Sequence, residues 1–426
     1  MQEKLIHFIW QNLLFETNLL QAVDGESVQI IQRGTLNSHA GPDFNNAKIK
    51  IDQTIWAGNI EIHIKSSDWN LHGHTRDKMY DSTILHVCWE YDLPILRTDN
   101  SRICCLELKN RINFNLLAKY ESLMHSANEI PCSSMLHTID EFTWMLLQEQ
   151  LLAERMQQKS ELINDSLFKS KFDWQEVFYK FMAKNFGLKI NTQPFENLAN
   201  LLSLKLLSRH KDSVLQTESL IFGVAGFLDE EPKDDYNAKL FKEFKFLKHK
   251  YDLQSMDKTQ WKFMRLMPAN FPTLRLAQFA ALIHQSNNLF SKLMKSTDLE
   301  EIRLLLNAVP GTYWNTHYQF GHHSVFMVKK PGAFHVNNII VNTIVPFKFA
   351  YSKHKDNDEM RQNTLDLLEK MKPESNTIIK NWENLGVKAK NSLQSQALLQ
   401  LKNEYCSYKK CLDCNIGFKL LKNEAH

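Results

Sequence analysis

The hydrophobic period changes near residue 110, and that change restricts the chain to a β-rich part followed by a helical one. Between residues 28 and 108 the apolar residues form short alternating or β-branched runs at 28–31, 47–51, 60–65, 84–89 and 103–108, the pattern of a sheet of about five strands. Ahead of them, Leu5, Ile6, Ile9, Trp10, Leu13 and Leu14 lie at helical spacing and predict an amphipathic opening helix over residues 3–15. After Asn110 the helical period persists, with helices predicted over 114–125, 141–158, 174–185, 197–206, 274–284, 364–371 and 393–403. The expected class is α+β, a mixed-sheet domain over residues 1–112 followed by a large all-α domain over 113–426. A sub-boundary is expected at the polar stretch 229–235.

Composition narrows the function classes only a little. With 43% hydrophobic and 23% charged residues the chain can bury cores throughout, which excludes a disordered or fibrous protein. No run approaches the roughly 18 uninterrupted apolar residues of a membrane span, and residues 1–15 carry Glu3, Lys4, His7 and Gln11 where a signal peptide would be apolar. A cytoplasmic location is therefore expected. The net charge of +3 neither demands nor excludes nucleic acid. Seven cysteines, an odd number in a long chain, point to metal binding or burial rather than a disulfide framework.

The densest polar chemistry surrounds the third run. Strand alternation sets Ile60, Ile62 and Ile64 on one face and Glu61, His63 and Lys65 on the other. If the loop containing Gly41-Pro42-Asp43-Phe44 delivers Asp43 to that polar face, two carboxylates can hold Mg²⁺ or Mn²⁺ while a histidine or lysine orients or deprotonates a water. That is the chemistry of phosphodiester hydrolysis. The plainer alternative is a half-buried strand whose solvent face carries Glu, His and Lys. Asp68, His72, His74 and Asp77 follow within a few residues and could add or replace metal ligands; a zinc hydrolase built on His72, His74 and Asp77 is a separate reading. His86 sits inside an apolar run and reads as a core histidine.

This layout resembles the PD-(D/E)xK nuclease superfamily, whose core runs helix, three strands, helix, strand. The opening helix, the runs up to Lys65, a short helix near Asp77 and the run at 84–89 follow that order. The resemblance implies that Asp43 and Glu61 ligate the metal and that His63 or Lys65 fills the lysine's place. The sequence departs from the motif, because the residue two after Glu61 is His63 and the residue two before Lys65 is again His63. That departure keeps a second class open, a non-catalytic nucleic-acid-binding or scaffold protein.

Two further features carry chemistry. Cys406, Cys411 and Cys414 are spaced C-x4-C-x2-C, and Cys132, after Pro131, is the expected fourth ligand for zinc or an iron-sulfur cluster, an arrangement similar to that of some nucleases in the same superfamily. Cys88, Cys104 and Cys105 fall in predicted strands and are expected to be buried. Arg265 and Arg275, beside Trp261, Phe263 and Phe271, could grip DNA or RNA phosphates, or Arg275 could serve the turn that caps a helix. Taken together, Ala40-Gly41-Pro42-Asp43-Phe44, Glu61-Ile62-His63, Ser67-Asp68-Trp69, Leu85-His86-Val87, Asn270-Phe271-Pro272, Ser395-Gln396-Ala397-Leu398 and the Cys406 and Lys410-Cys411-Leu412 segments look like the bacterial family catalogued as domain of unknown function 2851.

Overall fold

A computed structural model describes residues 2–423. The chain divides into two compact units, one of Met1–Gln148 with Asn384–Gly386 and Leu399–His426, the other of Glu149–Glu383 with Val387–Leu398. The boundary expected at residue 112 falls inside the first unit, and so does the cysteine motif expected to belong to the helical domain. Periodicity reports which element forms, not which core it joins. Among the described residues, no helix is long and apolar enough to cross a membrane.

The first unit is built on one mixed sheet. Its strands are β1 (Leu20–Gln21), β2 (Ser27–Gln32), β3 (Thr35–Leu36), β4 (Phe44–Ile51), β5 (Thr54–Lys65), β6 (Thr83–Glu90) and β7 (Cys104–Glu107). They lie in the order β1-β2-β4-β5-β6-β7, with β3 paired to β4. The pairs up to β4·β5 are antiparallel, and β5·β6 and β6·β7 are parallel. All five predicted runs become strands, and the two extra ones are dipeptides too short to leave a periodic signal.

Register decides what shares a face. Glu61 pairs with His86, His63 with Cys88, and His86 with Cys105, so these five side chains line one face of the sheet, while Ile60, Ile62, Leu85 and Val87 line the other. The polar face is not exposed to water as the half-buried alternative supposed: Glu61 is 5% exposed and His63 1%. Parallel pairing requires a crossover, and here residues 66–82 form it and cover that face. The crossover contains α2 (Asp68–Leu71) and two short 3-10 turns, His74–Arg76 and Lys78–Tyr80. Its anchor is Trp69, fully buried, whose ring packs edge-on to His74 and His86 at 5.2 and 5.7 Å and whose indole N–H donates to the Leu96 carbonyl at 3.0 Å. β6 starts hard against β5 at Gly58, where a Cβ would meet Ile84 Cγ2 and the Ser82 carbonyl oxygen at 2.5 Å, so only glycine fits.

The opening helix, α1 (Glu3–Asn12), buries Leu5, Ile6, Ile9 and Trp10, as its spacing predicts, and Trp10 Nε1 donates to the Arg33 carbonyl at 3.0 Å. Helix α3 (Phe114–His125) forms over the predicted span, with Asn113 accepting from the Asn115 N–H at its start. Near the chain's end, α4 (Asn415–Lys422) buries Ile416, Leu420 and Leu421 and packs Phe418 edge-on to Phe8 of α1 at 6.0 Å. That apolar stripe holds the cysteine segment in the first unit.

The second unit is helical around a core that includes Phe186, Phe195, Phe222, Phe279 and Phe347. Predicted helices appear at Trp174–Phe186, Pro272–Gln285 and Asp358–Lys370. The one expected at 197–206 is broken into Thr192–Leu201 and Leu204–Ser208, because the Ser203 hydroxyl accepts from the Leu206 N–H and starts a new helix. The stretch 229–235 joins Val214–Val224 to Asp235–Tyr251 within this unit, and a small ribbon, His317–Gln319 with His322–His323, departs from the all-α expectation.

One buried acid in this unit makes stability depend on pH. Glu218 is 1% exposed; burial pushes its carboxyl up to about 7, against the opposing hydrogen bonds from Tyr236 and Trp314. A raised carboxyl binds its proton more tightly in the folded chain than in the unfolded one. Its stabilisation is therefore complete below the unfolded value of 4.5 and is lost as pH rises through about 7. We expect the chain to lose roughly 3 kcal/mol between pH 4.5 and 7.5 from this group. The check is the pH dependence of the denaturant midpoint in wild type minus that in Glu218→Gln, and equal slopes would refute it.

Candidate metal centre

The crossover and β5 bring three imidazoles to one point. His63 Nε2 lies 3.1 Å from His72 Nδ1, and ligand-capable nitrogens of His63, His72 and His74 all fall within 4.8 Å of one another. Glu61 stands beside two of the three: its Oε1 lies 3.2 Å from His74 Nε2 and 3.6 Å from His63 Nε2. Ligands bound at about 2.1 Å around one tetrahedral or octahedral ion stand roughly 3.0 to 3.4 Å apart, so the 3.1 Å His63–His72 and 3.2 Å Glu61–His74 spacings suit a shared ion. His63 and His74 are buried while His72 is exposed, which leaves the centre open to solvent on the crossover side.

The surroundings fix these side chains. His63 Nδ1 shares a hydrogen bond with His86 Nε2 at 2.8 Å, and His86 Nδ1 shares one with Cys105 Sγ at 3.1 Å. This chain runs from β5 through β6 to β7 and holds the His63 ring with Nε2 facing the centre, the role usually played by a carboxylate or carbonyl behind a metal-bound histidine. Both imidazoles are kept neutral. Burial, then the neighbouring histidines, lowers His63 to about 2, and burial with His74 lowers His86 to about 3. His74 stacks on Tyr80 at 3.7 Å, and its buried Nε2 makes no hydrogen bond despite the nearby Glu61 oxygen. An orphaned, inward-facing imidazole nitrogen beside a carboxylate is what a cation would satisfy, so the donor set fits a metal.

Asp43 arrives as the sequence suggests. The pairing of Phe44 with Ile60 brings it beside Glu61, where its backbone N–H donates to Glu61 Oε2 at 3.0 Å and its Oδ2 accepts from the Ile62 N–H at 2.9 Å. Glu61 is held above the usual carboxylate range by burial and by the Asp43 charge, against the pull of His74. The surprise is His7 of α1, whose Nε2 lies 3.2 Å from Asp43 Oδ2. Burial works against its charged form, but the Asp43 carboxylate, with Glu3 and Glu61, outweighs that and raises it above the ordinary histidine value.

Other expected residues stand elsewhere. Lys65 is exposed at the end of β5 and has no place among these ligands. Asp68 accepts from the Lys65 N–H at 2.9 Å, and Asp77 accepts from the Met79 N–H at 2.9 Å to cap a 3-10 turn, so Asp77 is replaced by His63 as the partner of His72 and His74. Arg265 is exposed, but Arg275 is buried at 5% and donates to Gln278 and Asn270 at 2.8 and 2.6 Å, out of reach of a phosphate backbone. His86 is a core residue, as expected, with the added task of orienting His63. The signal for His7 was faint: Glu3 and His7 are spaced i,i+4 on the polar edge of an otherwise apolar helix.

The family described as Protein of unknown function (DUF2851) matches residues 3–377, nearly the whole chain. The chain belongs to this DUF2851 family. The match spans every residue of the histidine and carboxylate centre and stops short of Cys406, so within DUF2851 the centre and the cysteine motif fall on opposite sides of the matched region's end. No curated protein and no solved structure matches the chain. The comparisons give the resemblance to PD-(D/E)xK nucleases no support.

Proposed function

We propose that this chain is a metal-dependent hydrolase acting on phosphodiesters, with His63, His72, His74 and Glu61 as ligands. The observation that carries the reading is the convergence of three imidazole nitrogens at a point open to solvent at His72, with the Glu61 carboxylate beside His63 and His74. Three nitrogens and one oxygen suit Zn²⁺, Mn²⁺ or Fe²⁺ better than Mg²⁺, which prefers oxygen alone. Such an ion, when bound, supplies a water of lowered pKa and polarises the phosphoryl oxygen. The remaining work belongs to the chain. Asp43 holds His7 protonated, so His7 can pair with an anionic phosphate and hand its proton to the leaving oxygen. DNA and RNA are the substrates suggested by the sequence resemblance, with Arg265 exposed for a phosphate contact.

The test loads metal-free protein with Zn²⁺, Mn²⁺, Fe²⁺ or Mg²⁺ and follows cleavage of bis(p-nitrophenyl) phosphate and of single- and double-stranded DNA and RNA. Metal uptake and cleavage should both disappear in His72→Ala/His74→Ala. Uptake without cleavage under any ion would instead support the non-catalytic binding or scaffold reading, and unchanged uptake in the double variant would remove the centre.

A further inference from the structure

Apart from that centre, four cysteines remote in sequence meet around one small cavity. Cys132, Cys406, Cys411 and Cys414 line a partly open pocket of about 20 Å³ together with Leu123, Pro131, Lys410 and Gly417. Local structure delivers each of them deliberately. Cys132 follows Pro131 and precedes the 3-10 turn Ser133–Thr138. Cys406 opens a 3-10 turn that ends at Lys409, whose backbone is left-handed at φ 51°, and this reverses the chain towards Cys411. Cys414 is the N-cap of α4. The fit is tight: a Cβ on Gly417 would stand 1.9 Å from the Cys411 carbonyl oxygen, so α4 must present glycine to bring its first turn onto the cysteine loop.

We propose that these four thiols hold a second metal centre, a thiolate-bound Zn²⁺ ion or iron-sulfur cluster, that ties the C-terminal segment to residues 123–132. Cys132, Cys411 and Cys414 are each 8% exposed, yet none of the seven cysteines is in a disulfide. Four thiols lining one small pocket match the ligand number of a structural zinc or of a cubane cluster. The charge balance agrees. Four thiolates around a divalent ion leave two negative charges, and Lys402, Lys409 and Lys410 surround the site, with Lys410 on the cavity wall and Lys409 Nζ donating to the Met124 carbonyl at 2.6 Å. The N-terminus of α4 adds favourable partial charge at Cys414.

The experiment is metal analysis of full-length protein purified without oxygen, on wild type and on single variants. With the histidine centre removed by His72→Ala/His74→Ala, the protein should still carry one equivalent of zinc and be colourless, or carry iron with acid-labile sulfide and visible absorption; either result sustains the proposal and identifies the metal. Cys406→Ser and Cys411→Ser should each lose that metal, whereas His72→Ala/His74→Ala and Cys104→Ser should keep it, which separates this centre from the histidine one. Because a serine variant could lose metal by unfolding, Cys411→His is the second variant. If the centre holds zinc, Cys411→His retains the ion, and cobalt put in its place shows weaker thiolate charge-transfer absorption than in wild type. Metal-free wild type or His72→Ala/His74→Ala protein, or that metal retained by both serine variants, would overturn the proposal.

Discussion

Turnover should fall about 10²- to 10⁴-fold when His7 is replaced by alanine, with metal uptake unchanged. His7 lies 3.2 Å from Asp43 and outside the group of three converging imidazole nitrogens. Its imidazolium is stabilised by Asp43, Glu3 and Glu61 despite burial. A proton donor of this kind gives a rate that declines as pH rises through its pKa, so wild type should show a basic limb placed above the ordinary histidine value. Asp43→Asn removes the main stabilising carboxylate and should move that limb to lower pH, while His7→Ala should abolish it. A pH profile identical in all three proteins, or metal lost from His7→Ala, would reject the assignment of a proton to His7.

The second large effect is on stability. Lys348 is 1% exposed, and its ammonium donates to the carbonyls of Leu293, Met294 and Ser296 at 3.0, 2.8 and 2.7 Å. These are the carbonyls left without partners at the end of the helix Leu289–Lys295. Burial lowers Lys348 to about 8, against the Glu301 charge, so at neutral pH it remains a cation placed where a helix terminus favours one. Lys348→Met keeps the apolar stem and leaves three buried acceptors unpaired, which should destabilise the protein by about 3 kcal/mol or more and lower the melting temperature by roughly 10 °C. Lys353→Met, an exposed change on the same helix, should stay within about 0.5 kcal/mol of wild type. Equal melting temperatures for the two variants would show that the carbonyls find other partners.

What could be read from the sequence followed from local rules. Alternation placed Glu61 and His63 on one face, the turn before β4 placed Asp43 beside them, and the His-x-His pair marked the crossover, because each depends on residues close along the chain. The cysteine set was legible too, since C-x4-C-x2-C is close-range and Cys132 stands in a loop. What could not be read was set by packing over long separations. His7 meets Asp43 only because α1 docks on the sheet, and no pattern within a helix says which polar residue will face a distant carboxylate. Asp77 looked like a ligand but lies one residue before a 3-10 turn, where its carboxylate is drawn to the nearest free N–H. Arg275 looked like a phosphate contact, yet its helix Pro272–Gln285 is buried on every side for most of its length.

The crossover that covers β5 also fixes when the histidine centre can come into being. Two of its ligands ride on residues 66–82 and two on the strand beneath, so none of the four-way geometry exists until β6 has folded back and paired in parallel with β5. Parallel pairing is a late and slow event in the folding of such sheets. On the proposed metal reading, an ion meeting the nascent chain would have nothing to organise and would act afterwards as a latch on a crossover already closed. The reverse holds for release. Ion exchange should then proceed at the rate at which that short segment lifts from the sheet, far faster than the whole unit unfolds, and the exchange rate becomes a clock for one local opening.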